Sequence, residues 1–194
     1  MPRDLKYEGK CKIHDYAIIG PNVVLNKGVK IWRYSYIQNV RVGTNTSIET
    51  GVVFTGYKNG NINIGKECYI GIYNVLDWSD DISIGDYVHI AKPSTGIWTH
   101  SSAKKCYYGI QLSNKSAEYR PTSSVIIHDH VWIGGNCTIY PDVTIGQNAI
   151  IAPNSAVNKD VPQYTMVGGV PAKFIKKTNQ VWYISKIIYY ISIS

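Results

Sequence analysis

The sequence lacks any apolar run that approaches the roughly 20 residues of a membrane-spanning helix. The N-terminus, MPRDLKYEGK, also lacks the apolar core of a secretory signal. We therefore expect a cytoplasmic protein, and we do not expect it to associate with membranes.

Cysteines are few and widely separated. The four of them, Cys11, Cys68, Cys106 and Cys137, form no CxxC pair. This spacing argues against a disulfide framework and against the usual zinc sites, so no metal is expected. Cys68 and Cys137 fall on the repeat positions described below and are expected to be small core residues.

Acidic residues are fewer than basic ones, and the net charge is +7. The excess can serve solubility, or it can indicate an anionic partner such as a phosphorylated cofactor or an acidic glycan. No basic stripe with interleaved aromatic residues runs along the chain, so a nucleic-acid partner is not expected.

What the sequence does have is a rhythm of six residues, clearest between Val125 and Ile175. An aliphatic residue recurs at every sixth position: Ile127, Ile133, Ile139, Ile145, Ile151 and Val157. A small or β-branched residue stands four positions after each: Val131, Cys137, Val143, Ala149, Ser155 and Val161. Neither the helical nor the strand periodicity gives this spacing. A chain that turns a corner every six residues does, so the rhythm predicts a parallel β-helix.

The same rhythm starts near Tyr7 and continues to His100 with slips in phase. It is absent from 101–124, a polar and aromatic stretch of about two dozen residues that predicts an inserted, functional loop. We predict one all-β domain, 1–194, with coils over about 7–100 and 125–162 and a C-terminal segment over 163–194. The tail, 179–194, fits either an amphipathic helix or an alternating strand.

Three motifs in the second half carry a family resemblance. Val131–Asn136 reads VWIGGN, Asn158–Pro162 reads NKDVP, and Gly168–Lys173 reads GGVPAK. Together with the hexads, this series resembles the hexapeptide-repeat acyltransferases. The most similar branch holds the galactoside, maltose and virginiamycin acetyltransferases, and within it the bacterial polysaccharide O-acetyltransferases. The resemblance implies a left-handed β-helix, acetyl-CoA as co-substrate, and a homotrimer with active sites between neighbouring coils.

Acetyl transfer from a thioester to an alcohol needs a base for the hydroxyl proton and a donor for the developing oxyanion. The resemblance places the base at His100, which ends Gly96–His100 beside the inserted loop. It places Trp132 near the thioester and gives the oxyanion to the backbone N–H of Gly135. Alternatively, His100 only hydrogen-bonds the loop backbone. If it is the base, either a carboxylate or a backbone carbonyl could orient it.

The resemblance also implies where coenzyme A lies. The pantetheine arm is expected to follow the coil edge past these residues of the last turns: Gly134, Ala152, Lys159, Pro171 and Lys173. A small residue such as Ala152 leaves room for the arm, and the lysines suit phosphates. Lys176 and Lys177 could contribute in the same way, or they could be a solvated basic tail.

The inserted loop is the expected acceptor site. Four aromatic residues are candidates for stacking on a sugar: Trp98, Tyr107, Tyr108 and Tyr119. They could instead pack the loop onto the coil. Arg120 and three loop lysines, Lys104, Lys105 and Lys115, would suit an acidic acceptor such as a sialic-acid or uronic-acid glycan.

The other four histidines are expected to be structural. His128 and His130 are predicted on corners or an outer face, and His14 and His89 on the surface. The γ-class carbonic anhydrases share the coil and bind zinc through histidines. The His128-x-His130 pair does not match their spacing, so this comparison adds no metal.

The first functional hypothesis is an acetyl-CoA-dependent O-acetyltransferase. It would act on a sugar hydroxyl of a surface polysaccharide, with sialic-acid glycans among the candidates, through general-base catalysis by His100. The alternative in the same class is an N-acetyltransferase acting on an amino-sugar nucleotide. An alternative of another class is a non-catalytic β-helix scaffold, which would need neither VWIG nor a base.

Overall fold

Three sheets form the sides of a coil in the computed structural model, which describes residues 5–57 and 60–178. The predicted tail, 179–194, lies outside these ranges. No helix within them is long and apolar enough to cross a membrane.

Short strands follow one another along the chain, three to each turn. The strands before the insertion are β1 (Lys6–Tyr7), β2 (Lys12–Ile13), β3 (Ile18–Ile19), β4 (Val23–Leu25), β5 (Lys30–Ile31), β6 (Tyr36–Ile37), β7 (Val40–Val42), β8 (Ser47–Ile48), β9 (Val53–Thr55), β10 (Ile62–Ile64), β11 (Tyr69–Ile70), β12 (Val75–Asp77), β13 (Ile82–Ile84), β14 (His89–Ile90) and β15 (Gly96–Ile97). One short helix, α1 (Ala103–Tyr107), lies in the insertion. The strands after it are β16 (Val125–Ile127), β17 (Trp132–Ile133), β18 (Thr138–Ile139), β19 (Thr144–Ile145), β20 (Ile150–Ile151), β21 (Ala156–Val157), β22 (Thr165–Gly168) and β23 (Lys173–Lys177).

From β1 to β18, each strand pairs in parallel with the third strand after it, which makes a coil with three sides. The first sheet holds every third strand from β1 to β19, and the third sheet holds every third strand from β3 to β21. The second sheet runs from β2 to β20 and then adds β22 and an antiparallel β23. The predicted all-β parallel β-helix is confirmed.

The hexad residues form the core of the coil. In the second half, Ile127 pairs with Ile145, Ile133 with Ile151, and Ile139 with Val157, so equivalent positions stack on successive turns. All the aliphatic residues from Ile127 to Val157 and all the small or β-branched residues from Val131 to Val161 in the two predicted series are buried. The predicted core cysteines, Cys68 and Cys137, are buried too. Each fully buried aliphatic side chain contributes about 1.5–3 kcal/mol. Ile13 belongs to the first described turn and is 38% exposed, since no described residues form a turn beneath it.

Asparagine and aspartate shape the corners of the last turns. Asn136, Asp142, Asn148 and Asn154 have φ between 57° and 66°, a conformation these short polar side chains tolerate. Glycines after the aliphatic residue serve another purpose. A Cβ on Gly43 would lie 2.4 Å from the carbonyl carbon of Gly65, so the close approach of neighbouring turns requires a glycine there.

The insertion leaves the coil at the corner between the third and first sheets. β13 pairs directly with β16, so the coil continues undisturbed beneath it. The predicted loop is present, but it is not structureless, since it contains α1. Its ends are tied by a bridge between His100 and Thr122, and inside it the Lys105 ammonium donates to the carbonyls of Leu112 and Asn114.

Candidate active site

A buried carboxylate lies at the end of β12. The side chain of Asp77 is 1% exposed. Its Oδ1 accepts hydrogen bonds from the Ser79 hydroxyl at 2.6 Å and the Ser79 N–H at 3.2 Å, and its Oδ2 accepts one from the Thr99 N–H at 3.1 Å. Burial alone raises the pKa of Asp77, but hydrogen bonds from Ser79, His100 and Thr99 outweigh it and lower the pKa below its ordinary value. Asp77 is therefore ionised at neutral pH.

His100, the predicted base, is held by this carboxylate. Its Nδ1 lies 2.5 Å from Asp77 Oδ2. An ionised carboxylate can only accept, so Nδ1 donates, and the lone pair of the neutral ring lies on Nε2. The side chain is 18% exposed, which leaves the ring enclosed but reachable. The orienting group that the sequence left open is thus a carboxylate.

Two further residues complete the surroundings of the ring. Arg120, at the end of the insertion, places Nη2 2.9 Å from His100 Nε2. Its guanidinium carbon lies 3.4 Å from the centre of the Tyr57 ring. Tyr57 meets His100 edge-on at 5.2 Å and donates its hydroxyl hydrogen to the Arg120 carbonyl at 3.0 Å. The six-residue rhythm of the sequence is also interrupted at 57–61, so Tyr57 from that interruption and Arg120 from 101–124 both contact His100.

Sequence reasoning missed Asp77 and Tyr57. Asp77 directly follows the inward-facing Leu76, and a carboxylate beside a core position of a repeat was a usable signal. Tyr57 begins an interruption of the rhythm whose sequence contains Asn-Gly, a pair that favours turns. Nothing local indicates that Tyr57 meets Arg120, since these residues are far apart in the chain.

The predicted donor-side residues lie at another corner, between the second and third sheets. The N–H of Gly135 makes no hydrogen bond to any residue in 5–57 or 60–178. Gly134, Ala152 and Gly168 stack at this corner on successive turns. A Cβ on Gly134 would lie 2.5 Å from the backbone N of Pro153. Trp132, on β17, is half-buried and pairs with His89 and Ile150.

Among the predicted coenzyme A residues, Lys173 pairs with Gly168 at the corner of Gly134 and Ala152, whereas Lys159 lies apart from them. Pro171 and Lys173 are exposed in the turn and strand that follow Gly168. Lys159 follows β21, at the corner where His100 also lies. It lines a cleft of about 240 Å³ at the end of the coil, together with Val167 and Phe174.

Within one chain, the predicted oxyanion donor Gly135 and the predicted base His100 therefore lie at different corners. Gly135 lies before the third-sheet side of its turn, beside Lys92, whose carbonyl oxygen would be 2.4 Å from a Cβ on Gly135. His100 lies after that side, beyond β15. The third sheet therefore separates His100 from Gly135 within one chain.

The predicted acceptor residues are mostly on the outside of the insertion. Tyr107 and Tyr108 meet at 4.9 Å and are 83% and 61% exposed, so they do not pack the insertion onto the coil. Tyr119 approaches Tyr108 at 6.3 Å, and Trp98 is half-buried on the coil. Lys105 is buried and bonded to loop carbonyls, which removes it as a contact for an acidic acceptor.

The remaining histidines have packing roles. His130 is a corner residue with φ of 59° and stacks on Tyr87 at 5.1 Å. His128 is exposed, His89 is exposed and stacks on Tyr69, and His14 stacks on Trp32 at 4.2 Å. Within the described ranges, no group of three or more His, Cys, Asp or Glu residues could hold a metal ion.

Known proteins share this sequence pattern and this fold. Residues 124–159 match the bacterial transferase hexapeptide family, with six repeats. The putative lipopolysaccharide biosynthesis O-acetyl transferase WbbJ of Escherichia coli K12 is 30% identical over 148 residues, which are 62% of this chain and 74% of that protein. The dTDP-4-amino-4,6-dideoxy-D-glucose acyltransferase of Escherichia coli is 29% identical over 177 residues, 89% of this chain and 88% of that protein.

A solved structure shows the same architecture. A single-site mutant of AntD, an N-acyltransferase from Bacillus cereus, superimposes with a TM-score of 0.63. The match covers 94% of this chain and 91% of that one, at 22% identity. That structure is a complex with dTDP-4-amino-4,6-dideoxyglucose and coenzyme A. At this level of identity the likeness is one of fold.

Proposed function

We propose that this chain, which belongs to the hexapeptide-repeat acyltransferases, transfers an acetyl group from acetyl-CoA to a sugar hydroxyl with His100 as general base. The observation that carries the proposal is the Asp77–His100 pair, in which a buried, ionised carboxylate leaves the Nε2 lone pair directed away from it. A scaffold does not require such a pair, because apolar packing could replace a buried carboxylate and its hydrogen bonds without loss of stability.

In the proposed reaction, His100 Nε2 takes the proton of the acceptor hydroxyl and returns it to the leaving sulfur. Acetyl-CoA supplies the acetyl thioester, whose C–S bond breaks as the new C–O bond forms. Asp77 keeps Nδ1 protonated and compensates the positive charge on the ring while Nε2 holds the proton. No covalent bond to the enzyme is needed.

On the donor side, the unbonded N–H of Gly135 is the proposed hydrogen-bond donor to the thioester oxygen. The corner formed by Gly134, Ala152 and Gly168 carries no bulky side chain, which leaves room for a pantetheine arm. Pro171, Lys173 and Lys159 are the further residues proposed to hold coenzyme A, with the lysines placed for its phosphates.

We propose a homotrimer because one chain keeps His100 and Gly135 apart. A neighbouring coil would bring its own Gly135 corner to the His100 corner of the first. Light scattering should then give about three times the chain mass of 21.7 kDa. His100→Ala and Trp132→Ala chains, each impaired alone, should be more active when co-expressed than either variant by itself, since some interfaces then hold both residues. An active monomer would contradict the shared site.

Trp132→Ala is expected to lower kcat by about tenfold or more while changing the free energy of unfolding little. The side chain is half-exposed on the outer side of β17, so its loss leaves the core intact. Its proposed place is beside the thioester, where positioning affects turnover. Steady-state kinetics and urea denaturation separate the two effects. Tyr69→Ala, an aromatic loss on the same sheet, is the matched control.

The test of the proposed reaction is thiol release from acetyl-CoA with a panel of acceptors. The panel should contain neutral sugars, sialic-acid and uronic-acid glycans, and a dTDP-amino sugar. Acceptor-dependent thiol release, with an acetylated product confirmed by mass spectrometry, is expected. Absence of release with every acceptor would contradict the proposal and favour the scaffold.

The alternative acceptor is an amine on a sugar nucleotide. It is favoured by the similarity to the dTDP-4-amino-4,6-dideoxy-D-glucose acyltransferase, which extends over 89% of this chain. The O-acetyl alternative is favoured by the similarity to WbbJ. The same base serves both reactions, so the acceptor panel decides between a hydroxyl and an amine.

A further inference from the structure

Arg120 is a cation with no carboxylate partner in the part of the chain that the structure describes. No carboxylate in 5–57 or 60–178 lies within 4.0 Å of its guanidinium. One guanidinium nitrogen, Nε, is buried and has no hydrogen-bond partner among the described residues, and another, Nη2, donates to His100 Nε2. A half-buried and unpaired guanidinium is costly, and its planar fork of N–H groups fits an oxyanion in two-point contact.

The present position of Arg120 blocks the proposed base. Nε2 has one lone pair, and the Arg120 N–H already occupies it at 2.9 Å. A proton on Nε2 would also place a second positive charge against the guanidinium, and the two would repel. For His100 to take a proton from an acceptor, Arg120 must leave this position.

The surroundings allow the side chain to move while its backbone stays. The Tyr57 hydroxyl donates to the Arg120 carbonyl at 3.0 Å. On the C-terminal side, the Ser101 N–H donates to the Pro121 carbonyl at 3.2 Å, and the Ser123 N–H to the Thr99 carbonyl at 2.9 Å. The guanidinium itself is held by the ring of Tyr57 and by Nε2, both of which an anion can replace.

Building on the proposed function, we propose that an anionic group of the acceptor draws Arg120 away from His100 and so frees the base. Arg120 is then both a cap in the resting enzyme and the residue that selects an anionic acceptor. The ligand is an oxyanion, either the carboxylate of an acidic sugar or a phosphate of a nucleotide sugar. Exposed cations on the same insertion, Lys104 and Lys115, add a positive field for such an acceptor.

The first test compares acceptors in the variant Arg120→Met. Methionine keeps apolar bulk over Tyr57 but has neither charge nor N–H groups. The ratio of kcat/KM for an anionic over a neutral acceptor is expected to fall by about tenfold or more, as for a lost charge-assisted hydrogen bond. Lys30→Met removes the same charge from an exposed site on β5, outside the insertion, and should leave the ratio nearly unchanged.

Comparing two anionic acceptors shows whether the oxyanion that Arg120 binds is a carboxylate or a phosphate. A fall confined to a sialic-acid glycan assigns the contact to a carboxylate, and a fall confined to a dTDP-amino sugar assigns it to a phosphate. An equal loss on anionic and neutral acceptors would overturn the proposal, because it would make Arg120 a packing residue.

A second readout needs no acceptor. Diethyl pyrocarbonate acylates unprotonated imidazole nitrogens, and mass spectrometry of peptides measures the rate at each histidine. His100 in the free wild-type enzyme should react about tenfold more slowly than in Arg120→Met, because its lone pair is occupied. The exposed His128 should react equally in both proteins. Equal rates at His100 would overturn the cap, even if thiol release confirms the transferase.

The two proposals fail in different ways. If the wild type transfers acetyl groups and His100→Ala does not, the proposed function stands whatever Arg120→Met does. If no acceptor supports thiol release, the proposed function fails, and the acylation rates still decide whether Arg120 covers Nε2.

Discussion

Replacing His100 with alanine is expected to lower kcat for acetyl transfer by about 10²- to 10⁴-fold, the usual contribution of a positioned general base. No other histidine can substitute, since His128 and His130 lie on the outer side of a later turn and His14 and His89 stack on aromatic rings of the coil. Coenzyme A binding should persist, because its proposed residues lie at another corner or in later turns.

Two further variants make this result interpretable. His100→Asn retains a side-chain N–H that can donate to Asp77 but provides no basic nitrogen, so it should be as inactive as His100→Ala and better folded. His128→Ala removes an exposed histidine and should keep wild-type activity. Calorimetric titration with coenzyme A reports binding separately from turnover. Wild-type kcat in either His100 variant would exclude His100 as the base.

Asp77→Asn should cause a loss of similar size, about 10²- to 10⁴-fold in kcat, although Asp77 does not touch the acceptor. The carboxylate receives donors on both oxygens, from Ser79 on Oδ1 and from Thr99 and His100 on Oδ2. An amide must turn its NH₂ towards one of these sets. If it faces His100, the ring is driven to the tautomer with a proton on Nε2, and the lone pair needed for the base is lost.

Measuring the tautomer of the His100 ring distinguishes loss of its orientation by Asp77 from simple unfolding. Nitrogen NMR of the imidazole should show Nδ1–H in the wild type and Nε2–H in Asp77→Asn. Ser79→Ala removes one hydrogen bond to the same carboxylate but leaves its charge, so it should cost far less activity. An Asp77→Asn enzyme with wild-type kcat would show that Asp77 does not orient His100.

The same substitution should change how stability depends on pH. The pKa of Asp77 lies below its ordinary value of 3.8 in the folded chain, so the folded state binds fewer protons than the unfolded state in this range. The stabilisation is therefore fully present above the unfolded pKa and is lost as pH falls through the folded one. The difference in free energy of unfolding between wild type and Asp77→Asn should shrink below about pH 4. Urea denaturation across this pH range measures this difference. A difference that stayed constant as the pH fell would contradict the prediction.

The scaffold was largely predictable from local sequence. Each hexad carries its own inward aliphatic residue, and each turn repeats the environment of the last, so a period read along the chain is also a period in space. The unbroken series from Ile127 to Val157 fixed the later turns in this way. The phase slips and the insertion were visible in the sequence too. Which strands pair across them was not, since Ile82 pairs with Val125 across the whole insertion.

The site was predictable only in part. His100 was predicted from its place beside an interruption, and Gly135 from its place in VWIGGN, and both stay predictions. Asp77 and Tyr57 were not identified, because contacts between residues far apart in the chain depend on which turns stack and on where two separate interruptions meet. Arg120 was predicted to suit an acidic acceptor, which stays a prediction, and its contact with His100 was not predicted.

The sequence by itself determined the coil, its corners, its insertion and the family, because these follow from repeats whose interactions are the same on every turn. Only the tertiary structure decided the state of the base. Asp77 on one turn fixes the proton on Nδ1 of His100 on the next, and Arg120 from the insertion occupies Nε2. Hydrogen bonds have direction, and whether one carboxylate and one guanidinium reach the two nitrogens of the same ring is set by packing in three dimensions.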